Sequence, residues 1–98
     1  MSKVIFINPF EIPQEQEDKY LMYLDEGYKI RKQQPGFISS RLHRAISPSV
    51  QFQFITVSEW QSLEHLQAAL TSKDFKASVK PEMRSLPHYP GIYKIIRT

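Results

Sequence analysis

The stretch QPGFISSRLHRAISPSVQFQFITVSEWQS, Gln34 to Ser62, decides the fold. Pro35-Gly36 cannot continue a helix, so it ends whatever precedes it and starts an extended run. Phe37 to Ala45 and Gln51 to Trp60 are rich in aromatic and β-branched residues, and Ile46-Ser47-Pro48-Ser49-Val50 separates them. They read as two antiparallel strands joined by a short loop. The second strand closes on the chain's only tryptophan, and Ser62 just beyond it is placed to cap a helix. A ring that large at a strand-to-helix junction either plugs a core or roofs a pocket.

On the N-terminal side, Lys3 to Glu11 is a strand, apolar on both faces because Val4-Ile5-Phe6-Ile7 is apolar on successive residues. Pro13 suits the first turn of a helix. Glu15, Glu17 and Asp18 sit at its positive end, and Lys29, Arg31 and Lys32 at its negative end. Leu21, Leu24 and Tyr28 recur along it at helical spacing, with Tyr20 and Tyr23 alongside. On the C-terminal side, a second helix from about Ser62 carries Leu63, Leu66 and Leu70 on one face. Thr71-Ser72 breaks or kinks it, and Ser72 caps a continuation that turns Phe75 and Val79 inward before Pro81 disturbs it. Pro87 to Gly91 is a loop, and Ile92 to Arg97 a last strand. This order predicts an α+β fold: a ferredoxin-like βαββαβ sandwich, a four-stranded antiparallel sheet with two helices on one face.

Two helices cover only one face of such a sheet. Period-two alternation puts Phe52, Phe54, Thr56, Ser58 and Trp60 on one face of the third strand, and Ile55 and Val57 on the other; Ile5 and Ile7 alternate in the same way against Val4 and Phe6. An uncovered face with that many branched aliphatics predicts a twofold homodimer packed sheet against sheet.

Composition narrows the function. Ninety-eight residues make a single domain, 1–98, with no room for a separate catalytic domain. The absence of cysteine removes disulfides and thiolate chemistry. His43, His65 and His88 have no ligand-like spacing with carboxylates, so no metal is expected, and Gly27, Gly36 and Gly91 form no phosphate-binding loop. The apolar start is too short for a signal peptide and no stretch approaches a membrane span, so the expectation is a cytoplasmic protein without a membrane partner. Lys73, Lys76, Lys80 and Arg84 would form a basic stripe if 73–85 is helical. Without interleaved aromatic platforms it reads as a solvated face, and no nucleic-acid partner is expected.

Gln34-Pro35-Gly36-Phe37, Arg41-Leu42-His43-Arg44, Glu59-Trp60-Gln61-Ser62 and Ser72-Lys73-Asp74-Phe75, in this order, resemble the antibiotic biosynthesis monooxygenase (ABM) family. Phe6-Ile7-Asn8-Pro9-Phe10 fits one branch of it. The resemblance covers essentially the whole chain and implies a dimeric α/β barrel. It also implies oxidation of an electron-rich aromatic metabolite, phenol- or anthrone-like, by O2 without a cofactor. Such an enzyme deprotonates its substrate, holds the anion in a dry pocket and donates hydrogen bonds to the developing enolate or peroxide.

The catalytic candidates are His43, Arg41 and Trp60. Trp60 matches the family's tryptophan and could wall the pocket and donate its N–H; the other reading is a core plug. Arg41 and His43 alternate with Phe37 and Ser39, so they enter the pocket if that face looks towards the helices, with His43 as base. In the opposite register they lie at the dimer interface or rim. The substrate-binding candidates are Asn8, Tyr23, Tyr28, Phe54 and Thr56. Thr56 stands where the quinone-forming members are expected to have an asparagine, and Asn8 matches an asparagine of the haem-degrading branch. The positions matching that branch's tryptophan and histidine are Ala69 and Val79, which disfavours haem degradation. The rival reading is a non-catalytic module that binds a small hydrophobic ligand or dimerises on the same fold.

Overall fold

A computed structural model describes residues 2–98; Met1, the first residue of the expected domain, lies outside the described residues. The strands are β1 (Val4–Phe10), β2 (Phe37–Arg44), β3 (Phe54–Trp60) and β4 (Gly91–Tyr93). The helices are α1 (Glu17–Arg31), entered through a short 3-10 turn, then α2 (Leu63–Leu70), α3 (Lys73–Ser78) and α4 (Pro81–Ser85). One antiparallel sheet has the order β2-β3-β1-β4, the ferredoxin-like arrangement expected. β4 stops at Tyr93, short of the expected Arg97, because Tyr93 already pairs with Ile5 and β1 begins one residue earlier.

The expected second helix is three. Ser62 caps α2 by accepting from the His65 N–H at 3.1 Å, and Ser72 caps α3 by accepting from the Phe75 N–H at 3.1 Å. Pro81 opens α4 at a first-turn position, where its missing N–H costs nothing. Lys73, Lys76, Lys80 and Arg84 therefore do not share one helix face. Lys80 instead reaches Glu26 at 4.0 Å, and Arg84 donates to the Lys76 carbonyl at 3.2 Å.

Phe54, Thr56, Ser58 and Trp60 all point to the helices and are buried, as alternation predicts. Paired with them across β1 are Phe10, Asn8, Phe6 and Val4. Ile5, Ile7, Ile55 and Val57 share the opposite face, on which no helix packs. The core under the helices is split. One cluster holds Phe10, Ile12, Tyr20, Leu24, Phe54 and Leu86; the other holds Trp60, Leu66 and Ala69, with Val4, Phe6 and Phe37 against it. The inner stripe of α1 is Tyr20, Leu24 and Gly27, rotated from the expected Leu21, Leu24 and Tyr28. Leu63 of α2 is exposed, and Ala69 takes the buried place.

A bulge in β2 decides its faces. Phe37 pairs with Trp60, but Ser39 pairs with the next residue, Glu59, so Ile38 is an extra residue. Phe37 therefore lies inward, its ring edge-on to Trp60 at 5.3 Å between centroids. Ser39, Arg41 and His43 face away from the helices, level with Glu59, Val57 and Ile55.

Candidate active site

Between the two core clusters lies a cavity of about 780 Å3. Its floor is the helix-facing side of β1, β3 and β4: Phe6, Asn8, Thr56, Ser58 and Ile92. α1 supplies Tyr23, Leu24, Gly27 and Arg31 as one wall, and Phe75, Val79, Met83 and Arg84 supply another. His88 reaches it from the loop before β4. The lining is mainly aromatic and aliphatic, with a few convergent polar groups, the usual character of a small-molecule site.

Three of those polar groups stand on the floor. The side-chain oxygen of Asn8 is buried and has no hydrogen-bond partner, a costly state. Thr56 is buried beside it, its hydroxyl 3.5 Å from the main-chain carbonyl of Asn8, a long contact. Ser58 is buried and accepts the indole N–H of Trp60 at 3.0 Å, which leaves its own O–H to donate elsewhere.

His88 stacks on Phe10 with ring centroids 5.9 Å apart and planes 24° apart. Its Nδ1 lies 2.7 Å from the Leu86 carbonyl, a contact in which the nitrogen must donate. That bond fixes the tautomer of the neutral ring and leaves Nε2 as the proton acceptor. At the rim, the Tyr23 hydroxyl donates to Glu82 at 3.1 Å and Lys19 pairs with the same carboxylate at 3.1 Å, tying α1 to α4. Desolvation first, then the bond to Glu82, raises the Tyr23 phenol, which stays protonated.

Of the residues expected at the site, Asn8, Tyr23 and Thr56 line the cavity. The others do not. Arg41 and His43 are exposed on the open sheet face because of the bulge, and His43 Nδ1 donates to the Ile55 carbonyl at 3.2 Å. Trp60 is 0% exposed, packed between Leu66 and Phe37, with its N–H taken by Ser58; it is the core plug. Phe54 is sealed in the other core cluster. Tyr28 is 40% exposed and packs edge-on against Phe37 outside the cavity. Ser58, Ser78, Arg31, Arg84 and His88 are polar lining residues outside the expected set. For Ser58 alone a signal existed, since it shares the alternation of Thr56 and Trp60. Among the described residues no group of three or more histidines and carboxylates is placed to hold a metal ion.

The family model for antibiotic biosynthesis monooxygenase matches residues 3–81, which include most of the sheet and helices that enclose this cavity. The chain belongs to the antibiotic biosynthesis monooxygenase family. Among solved structures it is similar to an inferred monooxygenase from Shewanella loihica PV-4, with 31% identity, covering 99% of this chain and 97% of that one, TM-score 0.84. SnoaB, a cofactor-independent oxygenase from Streptomyces nogalater, shares the fold at 18% identity, with 100% and 97% coverage and a TM-score of 0.84. A Dabb family protein with a ferredoxin-like fold from Mesorhizobium loti shares it at 15% identity, with 99% and 100% coverage and a TM-score of 0.77. No curated protein matches the chain.

Proposed function

We propose that this protein is a cofactor-independent monooxygenase that oxidises an electron-rich, phenol- or anthrone-like aromatic in the cavity under α1. The observation that carries this reading is the buried, unpartnered side-chain oxygen of Asn8 on the floor of a mainly apolar cavity. An unpartnered acceptor would serve a binding module as well as an enzyme; the ring of His88 at the cavity wall is what favours catalysis. A ligand hydroxyl meets the Asn8 amide at the cavity floor. His88 Nε2 takes the proton that turns the substrate into an electron-rich carbanion or phenolate.

The anion then reduces O2 by one electron, the radical pair combines to a peroxide, and the peroxide is protonated. Loss of water leaves the carbonyl, so a CH2 and O2 become C=O and H2O. The Ser58 hydroxyl donates to the developing oxyanion. The dry walls keep bulk water from the anion. Family membership and the likeness to the Shewanella protein support this reading.

The working form in this reading is a homodimer through the open sheet face. Ile5, Ile7, Ile55 and Val57 form its centre, and the exposed Ile95 and Ile96 extend beyond β4. Burying each such side chain fully contributes roughly 1.5–3 kcal/mol, enough in sum to offset the entropy of association.

Oxygen uptake with anthrone and with a panel of hydroquinones tests the activity. The expected result is one O2 consumed per quinone formed and a loss of at least about tenfold in His88→Ala. No uptake across the panel, with tight binding of the same compounds, would favour the binding module instead.

A further inference from the structure

The geometry points to Arg31 as an anion anchor: the aromatic ligand carries a carboxylate that the Arg31 guanidinium holds at the α1 wall of the cavity. Arg31 sits at the end of α1, where a cation suits the helix dipole, yet its side chain does not run out to solvent as those of Lys29 and Lys32 do. It lies back over Gly27, one turn earlier, and lines the cavity. A Cβ at Gly27 would stand 3.1 Å from the guanidinium, so the glycine leaves the space the arginine occupies. Glycine in the middle of a helix is unfavourable relative to alanine, and here the cleared volume is what it provides.

Among the described residues the guanidinium has no partner: no carboxylate lies within ion-pair distance of it and no side-chain hydrogen bond is made by it, although desolvation lowers its pKa. The cavity lining holds two arginines, Arg31 and Arg84, and no Asp or Glu. Arg84 already spends a donor on the Lys76 carbonyl. A half-buried, unpaired guanidinium is costly unless a bound anion completes it, and its planar fork matches a carboxylate in two parallel hydrogen bonds. A carboxylate is ionised at neutral pH whatever the state of the reacting ring. Asn8 and Ser58, on the sheet, are left for the phenolic end.

This inference rests on the proposed aromatic site, and binding of a matched pair of probes separates the two. Anthraquinone-2-carboxylate and its methyl ester share the flat ring system and differ in charge. Calorimetric titration at neutral pH is expected to show the acid bound about ten- to a hundredfold more tightly than the ester. Arg31→Gln should abolish that preference while ester affinity stays within about twofold, and Arg31→Lys should retain only part of it. Equal affinity of the wild type for acid and ester, or a preference that survives in Arg31→Gln, overturns the anchor and leaves the aromatic site standing. Failure of both probes to bind the wild type overturns the aromatic site and the anchor with it. Should Arg31→Gln not fold, the wild-type comparison and Arg31→Lys still decide.

Discussion

The indole N–H of Trp60 donates to the Ser58 hydroxyl at 3.0 Å, two residues back along the helix-facing side of β3. The bond places Trp60 behind the cavity floor rather than in it and fixes Ser58 at the cavity surface. Trp60→Ala is therefore expected to lower stability by about 3–5 kcal/mol in urea unfolding, the range for a fully buried ring. Trp60→Phe keeps most of the packing but removes the donor from Ser58, and should cost about 1–3 kcal/mol. A Trp60→Ala protein as stable as wild type, with ligand binding alone impaired, would return the ring to the pocket.

Asn8 offers the opposite trade. Its side-chain oxygen is buried without a partner in the free protein, so replacing it with an apolar side chain of similar shape removes an unmet polar group. Asn8→Leu should leave stability unchanged or raise it by up to about 1–3 kcal/mol, while turnover falls at least about tenfold. Thermal unfolding and oxygen uptake on the same preparation check both halves.

Gly36 is at φ 85°, where L side chains are strained, and a Cβ there would run into the ring of His65. Gly36→Ala should destabilise by at least about 1–2 kcal/mol. The effect should shrink when His65→Ala is added, because part of it is the clash. A double-mutant cycle measures that coupling.

The tie between α1 and α4 predicts a pH response. Hydrogen bonds from Lys19 and then Tyr23 hold the Glu82 carboxyl below the ordinary 4.5 of a glutamate. A lowered carboxyl contributes fully above its unfolded pKa, and the contribution is lost as pH falls through the lower folded value. The bond to Glu82 raises Lys19 above its ordinary 10.5, so the alkaline loss comes only as pH passes that raised value. Amide protection factors in Glu82–Ser85, referred to intrinsic rates at each pH, should fall below about pH 4.5, and Glu82→Gln should show the lower protection already at neutral pH. The Lys19 and Glu82 side chains are both solvent-accessible, so salt should weaken the effect.

Arg41 and His43, exposed on the open sheet face, should not matter to turnover directly. His43→Ala should keep oxygen uptake within about twofold of wild type. Val57→Asp, a carboxylate among Ile7, Ile55 and Arg41, should shift the protein towards monomer in sedimentation at micromolar concentration. A tenfold loss of turnover in a dimeric His43→Ala protein would contradict the assignment of His88 as base.

The sequence by itself determined the element order, the caps at Ser62 and Ser72, and the two faces of β3, because these rest on local rules: Pro and Gly breaks, hydroxyl caps and strict alternation. Asn8, Tyr23 and Thr56 were legible as cavity residues for the same reason. Tertiary structure alone decided β2. Had alternation run unbroken from Phe37, Arg41 and His43 would have faced the helices; one bulged residue, Ile38, sends them to the other side. A hint was present, since Phe37 and Leu42 are five residues apart and cannot both lie inward without an extra residue between them. Whether a strand bulges depends on cross-strand packing, here Phe37 on Trp60, which no single segment encodes. Arg31 and His88 were hidden for a related reason: a long side chain lying over Gly27 and a loop histidine stacked on Phe10 answer to space left by other elements.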